Sequence, residues 1–321
     1  MPYYPDRKTE SPDEEKKQGK LTEKQIRILR RAAVVLFCIF IIYGAVRLIL
    51  YYADLNASRN TSLELSRIYY EEPQETQEPV ATEAPETPLP SPDVTPESRE
   101  PANAPEKDLD ILEPVPYPDN PELKVSEQFR KLRKKGKYII GWLSFDEVDE
   151  AVVQKDNEYF LNHDAAGKKN SNGAIFLDSG ISLKTRPYTV VLYGHNMKTG
   201  KMFGRLKKYR ENAYFYRNRI ITFDTMYEKG QYAVFAVTDI STTPGTAQWY
   251  DIWSLNTDSR TGRETAIRAL ERRSAVSNVL DVQADDQILL LVTCVDSDSE
   301  RLVVAARRLR EKETPDSLDI R

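Results

Sequence analysis

The sequence predicts a mainly β domain of eight short strands with a few helices, carried behind a single transmembrane helix and a disordered linker. Three observations lead there. Eight short β-rich runs, separated by turn residues, fill residues 138–309, the pattern of a sandwich or a barrel. One apolar run, from Ala32 to Ala53, is broken only by Arg47. And 13 of the 19 prolines fall between Pro73 and Pro121, which removes that stretch from any ordinary packed core.

Composition narrows the class of function. The chain has 321 residues, 40% apolar and 30% charged, with a net charge of −4, so it lacks the basic excess of a nucleic-acid binder. Two cysteines and two histidines exclude a disulfide framework and a structural zinc site built from Cys and His.

Residues 1–31 are polar, and Lys16, Lys17, Lys20, Lys24, Arg27, Arg30 and Arg31 gather just before the apolar run. The 22 residues of 32–53 cover roughly 33 Å as a helix, enough for a hydrocarbon core of about 30 Å. Arg47 lies near the far end, where it can snorkel, and Tyr43, Tyr51 and Tyr52 suit the outer interface. The positive-inside rule places 1–31 in the cytoplasm and everything after about residue 53 outside. A cleaved signal peptide is the rival reading, with Ala53–Ala57 as a weak cleavage site.

Residues 54–121 hold most of the 17 acidic side chains between Asp54 and Glu122, against four basic ones. With so few large apolar residues they are expected to form a disordered, extended tether. The domain proper is expected over 122–321. Val125, Phe129 and Leu132 share one helical face and predict a short amphipathic helix. Strands are expected at 138–145, 148–153, 174–177, 189–193, 220–223, 232–237, 287–294 and 302–309. A helix is expected over 263–277, begun by Ser259, Thr261 or Gly262.

Chemistry rests on few residues. Cys38 lies inside the apolar run and acts there as a small apolar residue. Cys294 ends a buried-type strand, Gln287–Cys294; a free thiol in an oxidising compartment is a liability unless its chemistry is used, the alternative being an inert buried thiol. His195 ends another apolar strand, just after Gly194. His163 reads as an ordinary polar loop residue. Arg301 opens the last strand and lies close to the thiol if the two strands pair. A cysteine nucleophile, a histidine acid/base and a cation for the oxyanion are what acyl transfer through a thioester needs.

In Tyr193-Gly194-His195-Asn196-Met197, in the strand end Leu291-Val292-Thr293-Cys294, and in Arg301-Leu302-Val303-Val304, the chain resembles the three signatures of sortases. Over residues 136–310, Gly141-Trp142-Leu143, Ala151–Gln154, Asp156–Leu161 and Gly173–Phe176 are similar to the opening strands of the class B group. The helix before the cysteine strand is similar too. The resemblance implies an eight-stranded sortase-type β-barrel and a membrane-bound cysteine transpeptidase on the outer face of a Gram-positive bacterium. It implies Cys294 as nucleophile, His195 as general acid/base and Arg301 as oxyanion or substrate clamp, with Arg307 as the alternative arginine. Asn157 and Leu161 match positions that line the peptide groove.

The implied donor is a sorting signal of a secreted protein. The implied acceptor is an amine of a peptidoglycan precursor or of a pilin. No metal or organic cofactor is implied. Two other functions fit less well: a secreted cysteine peptidase hydrolysing the same kind of peptide, and a non-catalytic peptide-binding surface module. Papain-like peptidases place the cysteine before the histidine, whereas here His195 precedes Cys294 in the chain.

Overall fold

The computed structural model describes residues 22–71, 110–277, 279–294 and 299–318. The expected linker between 72 and 109 lies outside them. Two compact units emerge, 1–53 and 54–321. Helix α1, Glu23–Tyr70, crosses the boundary between them. Its first part is long and apolar enough to cross a membrane by length and composition, and its large apolar side chains are exposed.

The second unit is built on a closed barrel. Its strands are β1 (Ile139–Phe145), β2 (Val148–Val153), β3 (Ile175–Leu177), β4 (Thr189–Gly194), β5 (Ile220–Thr225), β6 (Gln231–Ser241), β7 (Ile288–Cys294) and β8 (Glu300–Arg308). Their order around the barrel is β1-β2-β3-β4-β7-β8-β6-β5. Each of the eight expected runs forms a strand, with ends shifted by a few residues. Of the two architectures left open, closure selects the barrel, which leaves no unpaired edge. Within it, β7 pairs with β4 in parallel and with β8 in antiparallel. Its residues Ile288–Thr293 are all buried, which explains a continuous apolar run in place of alternation.

Helix α2 (Glu127–Lys135) begins at Ser126, whose hydroxyl accepts from the Phe129 amide, and buries Phe129 and Leu132. Helix α3 (Asn212–Arg217) was not expected. Helix α4 (Arg260–Glu271) starts at Ser259, which accepts from the Gly262 amide. It therefore begins and ends earlier than the expected 263–277. Beyond the helix the Ala275 amide donates to the Val237 carbonyl on β6 at 2.7 Å.

The reading of 54–121 as a tether is corrected at both ends. Residues 54–70 continue α1 and lie on the barrel. Ser58, Leu65 and Tyr69 are buried there, and the Tyr69 ring stacks on Trp142 at 4.4 Å. Hydroxyls on this helix donate to barrel carboxylates: Ser62 to Glu150 at 2.6 Å, Thr61 to Asp164 at 2.9 Å and Tyr69 to Asp224 at 2.6 Å. At the other end Leu112 and Tyr117 are buried, and Asp110 accepts from Ser259 and Thr261 at the start of α4. Spread through a long acidic stretch, these few apolar and hydroxyl side chains do not raise its average hydrophobicity. Placed on one helical face, they suffice to dock it.

Candidate active site

Parallel pairing of β4 with β7 runs from Thr189 opposite Ile288 to Gly194 opposite Thr293. The next residues are His195 and Cys294. On the other side of β7, Cys294 pairs with Arg301 of β8. Neighbouring strands lie about 4.8 Å apart, so three consecutive strands bring the histidine, cysteine and arginine backbones side by side at one end of the barrel. Arg307 pairs with Ile288 at the opposite end, is buried, and its guanidinium meets Glu313 at 2.5 Å. Six residues of strand, roughly 20 Å, separate it from Arg301. The alternative arginine is thereby corrected to a structural role.

His195 is half-buried, and its Nε2 lies 2.7 Å from the Leu161 carbonyl oxygen. A carbonyl only accepts, so Nε2 carries the proton in this bond and Nδ1 is the nitrogen left to exchange one. The backbone around it is tight. The His195 carbonyl accepts from the amides of Met197 and Phe203, both at 3.0 Å. A Cβ on Gly194 would stand 2.8 Å from the Phe203 ring, so only glycine fits before the histidine. Gly173 has φ +64°, and a Cβ there would stand 2.6 Å from the Phe160 carbonyl oxygen and 3.0 Å from His195 Cδ2. The missing side chain lets the 160–174 segment press against the imidazole.

That segment is set by Asp156, whose carboxylate accepts from the amides of Tyr159 and Glu158 at 2.6 and 3.0 Å. These bonds hold its carboxyl below the ordinary range. A 3-10 turn, Tyr159–Leu161, follows. Leu161 is exposed and supplies the carbonyl that orients His195. Asn157 is clamped to the next turn: its Nδ2 donates to Asp178 at 2.9 Å, and its Oδ1 accepts from the Ser179 amide at 2.9 Å. His163 stacks on Tyr159 at 3.9 Å, and its Nδ1 lies 2.8 Å from the Tyr159 carbonyl, an ordinary structural placement.

Asp178 escaped the sequence reading, and Tyr193 entered it only as part of the histidine signature. Burial, chiefly, and then the Asp178 carboxylate raise the Tyr193 phenol above its usual range, while the Arg301 charge acts the other way. The Arg301 charge is therefore felt at Tyr193, two residues before His195. That spacing was the available signal, because residues i and i+2 of a strand share a face.

A cleft of about 610 Å³ opens elsewhere, lined by Arg186, Gln287, Arg308 and Arg310. It lies where β7 begins, away from Cys294. Its arginines are engaged, Arg186 and Arg308 with Glu228 and Arg310 with Asp286.

The parallel β4–β7 seam and the neighbouring β8 thus bring together a histidine, a cysteine and an arginine, the residue types that acyl transfer through a thiol needs. The sortase domain family matches residues 146–309, just over half of the chain, and the chain belongs to the sortase family. It is class B-like and, as a sortase, a cysteine transpeptidase. It is similar to sortase B of Staphylococcus aureus, 30% identical over 194 residues that cover 58% of this chain and 76% of that protein. The solved structure of sortase B from Bacillus anthracis in complex with AAEK1 shares the fold, with a TM-score of 0.58 and 24% identity over 81% of this chain and 100% of that one. A sortase B–substrate complex from S. aureus aligns with a TM-score of 0.51 and 26% identity, covering 60% of this chain and 88% of that one.

Proposed function

We propose that this chain is a membrane-anchored transpeptidase in which Cys294 is the nucleophile, His195 the general acid/base and Arg301 the oxyanion clamp. The observation that carries the reading is the lateral register of Gly194 with Thr293 and of Cys294 with Arg301. In the proposed reaction His195 Nδ1 takes the proton of the Cys294 thiol, and the thiolate attacks a backbone carbonyl of a C-terminal sorting signal. The oxyanion forms beside the Arg301 guanidinium, a permanent cation with several donors. His195 gives a proton from Nδ1 to the departing amine, leaving a thioester. An acceptor amine then loses its proton to Nδ1 as it attacks the thioester, and the new amide leaves with the thiol restored.

Donor specificity is assigned to Asn157 and Leu161, and the existence of a substrate complex of the S. aureus relative supports a peptide donor in general. The acceptor is an amine of a peptidoglycan precursor or a pilin. Anchoring is assigned to residues 32–53, with the N-terminus cytoplasmic and the barrel outside.

The test uses the full chain in detergent, unmodified and as Cys294→Ala, with sorting-signal peptides and an added amine. Mass spectrometry is expected to find an acyl adduct on Cys294 and an amine-dependent product, both absent from the variant. An adduct that yields only hydrolysed peptide, whatever the amine, would replace transfer by hydrolysis. No adduct with a reactive thiol would leave a peptide-binding module.

A further inference from the structure

We propose that Arg59, Lys168, Lys169, Lys198 and Lys201 form a surface that contacts the headgroups of an anionic bilayer. The inference rests on the anchoring reading above and adds the part of the barrel unit that meets the lipid, and its preferred lipid charge.

Asp54 directly follows the apolar run, so chain connectivity alone keeps it at the bilayer surface. In the barrel unit Asp54 is held by the 170–171 turn. Asn170 Nδ2 donates to its carbonyl at 2.8 Å, and the Ser171 hydroxyl donates to its carboxylate at 2.7 Å. Lys169 is the residue before that turn. The charge of Lys168 acts on Glu64, and that of Lys201 acts on Glu150, which accepts from Ser62. The helix rises at most about 15 Å from Asp54 to Glu64. The headgroup layer is about 5–7 Å deep, and the field of an anionic surface reaches roughly 8 Å further at physiological salt. Lys198 lies in the turn that links Asn196 to Met202, beside His195.

Cations outnumber unpaired carboxylates at this end. Glu64 is paired with Lys135 at 2.6 Å. Asp54, Asp164 and Glu150 accept from the Ser171, Thr61 and Ser62 hydroxyls and are not paired with a cation among the described residues, three carboxyl groups against the five basic side chains. None of the five cations makes an ion pair among the described residues. Arg59, Lys168, Lys169 and Lys198 are exposed, and Lys201 is half-buried. Lipid is favoured over a dissolved polyanion because Asp54 tethers these loops to the bilayer whatever else is present. The same loops flank His195, so the contact would hold the reaction site near the membrane surface.

The test reconstitutes the full chain into vesicles of phosphatidylcholine alone or with added phosphatidylglycerol, and follows amide hydrogen exchange. Residues 162–172 and 196–204 are expected to exchange more slowly on the anionic vesicles, with the difference erased by high salt. Replacing the four lysines by glutamine is expected to abolish the difference, each lysine weakening the contact roughly fivefold. Equal exchange on both vesicles overturns the proposal. So does equal slowing on neutral vesicles by dissolved polyphosphate, which would make the surface a site for soluble polyanions. Failure of the chain to float with neutral vesicles would overturn the anchoring reading itself, and the inference with it.

Discussion

Cys294 stands opposite Arg301 in the antiparallel pair of β7 and β8, and the parallel strand on its other side ends at Gly194, one residue before His195. Removing any one of the three should therefore damage the same acyl transfer. Cys294→Ala should abolish acyl-enzyme formation. His195→Ala should lower kcat/KM by about 10²–10⁴, the range of a lost acid/base. Arg301→Ala should cost about 10²–10³, and Arg301→Lys should recover little of it, because an ammonium lacks the fork of donors. Single-turnover kinetics on a sorting-signal peptide checks all four.

Gly173→Ala tests the wall behind the histidine. Its φ of +64° disfavours a side chain, and the added Cβ would meet the Phe160 carbonyl oxygen and the imidazole. Stability should fall by about 1–3 kcal/mol. Activity should fall further than that loss explains, because the bond from His195 to Leu161 is displaced. Urea denaturation and turnover measured on the same sample separate the two effects.

Glu150 makes docking of residues 54–70 sensitive to pH. Burial raises its carboxyl to about 7, with the Ser62 hydroxyl and then the Lys201 charge opposing. Its folded value lies above the ordinary 4.5, so its contribution is complete below that value and is lost as pH rises through about 7. Carboxyls shifted downward, such as Asp110 and Asp156, act in the opposite direction and at lower pH. The thermal midpoint should therefore fall between about pH 5 and pH 8, and Glu150→Gln should flatten that slope.

Arg263 joins α4 to the start of the β4–β7 seam. It is fully buried and donates to the carbonyls of Ala284, Leu255, Tyr188 and Asp286 and to the Thr189 hydroxyl. Burial lowers its guanidinium to about 10, still charged at neutral pH. Arg263→Met strands several buried acceptors, each costing about 1–3 kcal/mol, and should destabilise by about 3 kcal/mol or more. A fall in the urea midpoint at unchanged slope is the expected signature.

Tyr69→Ala should release the end of α1, since its ring stacks on Trp142 and its hydroxyl reaches Asp224. A loss of about 3–5 kcal/mol is expected for an aromatic removed from a packed site. Faster proteolysis within 54–70 would report it.

The strands were legible because each short β-rich run has its own turn signals, Cys294 and His195 stood out as rare residue types at strand ends, and Arg301 opens the neighbouring strand. Asn157 and Leu161 were visible only through resemblance. Their contacts, to Asp178 and to the His195 ring, join segments far apart in the chain. Helix 54–70 was misread because composition averages over the face that docks.

By itself, then, the sequence determined which segments become strands, which single run can cross a membrane and which side chains could carry acyl transfer. These depend on local periodicity and residue chemistry. Only the tertiary structure decided that β4 and β7 run parallel with Gly194 beside Thr293, that Arg307 belongs to the far end of the barrel, and that residues 54–70 are part of the barrel unit. Register and docking are set by packing between residues distant in sequence, where closing the barrel and burying Leu65 and Tyr69 outweigh local composition.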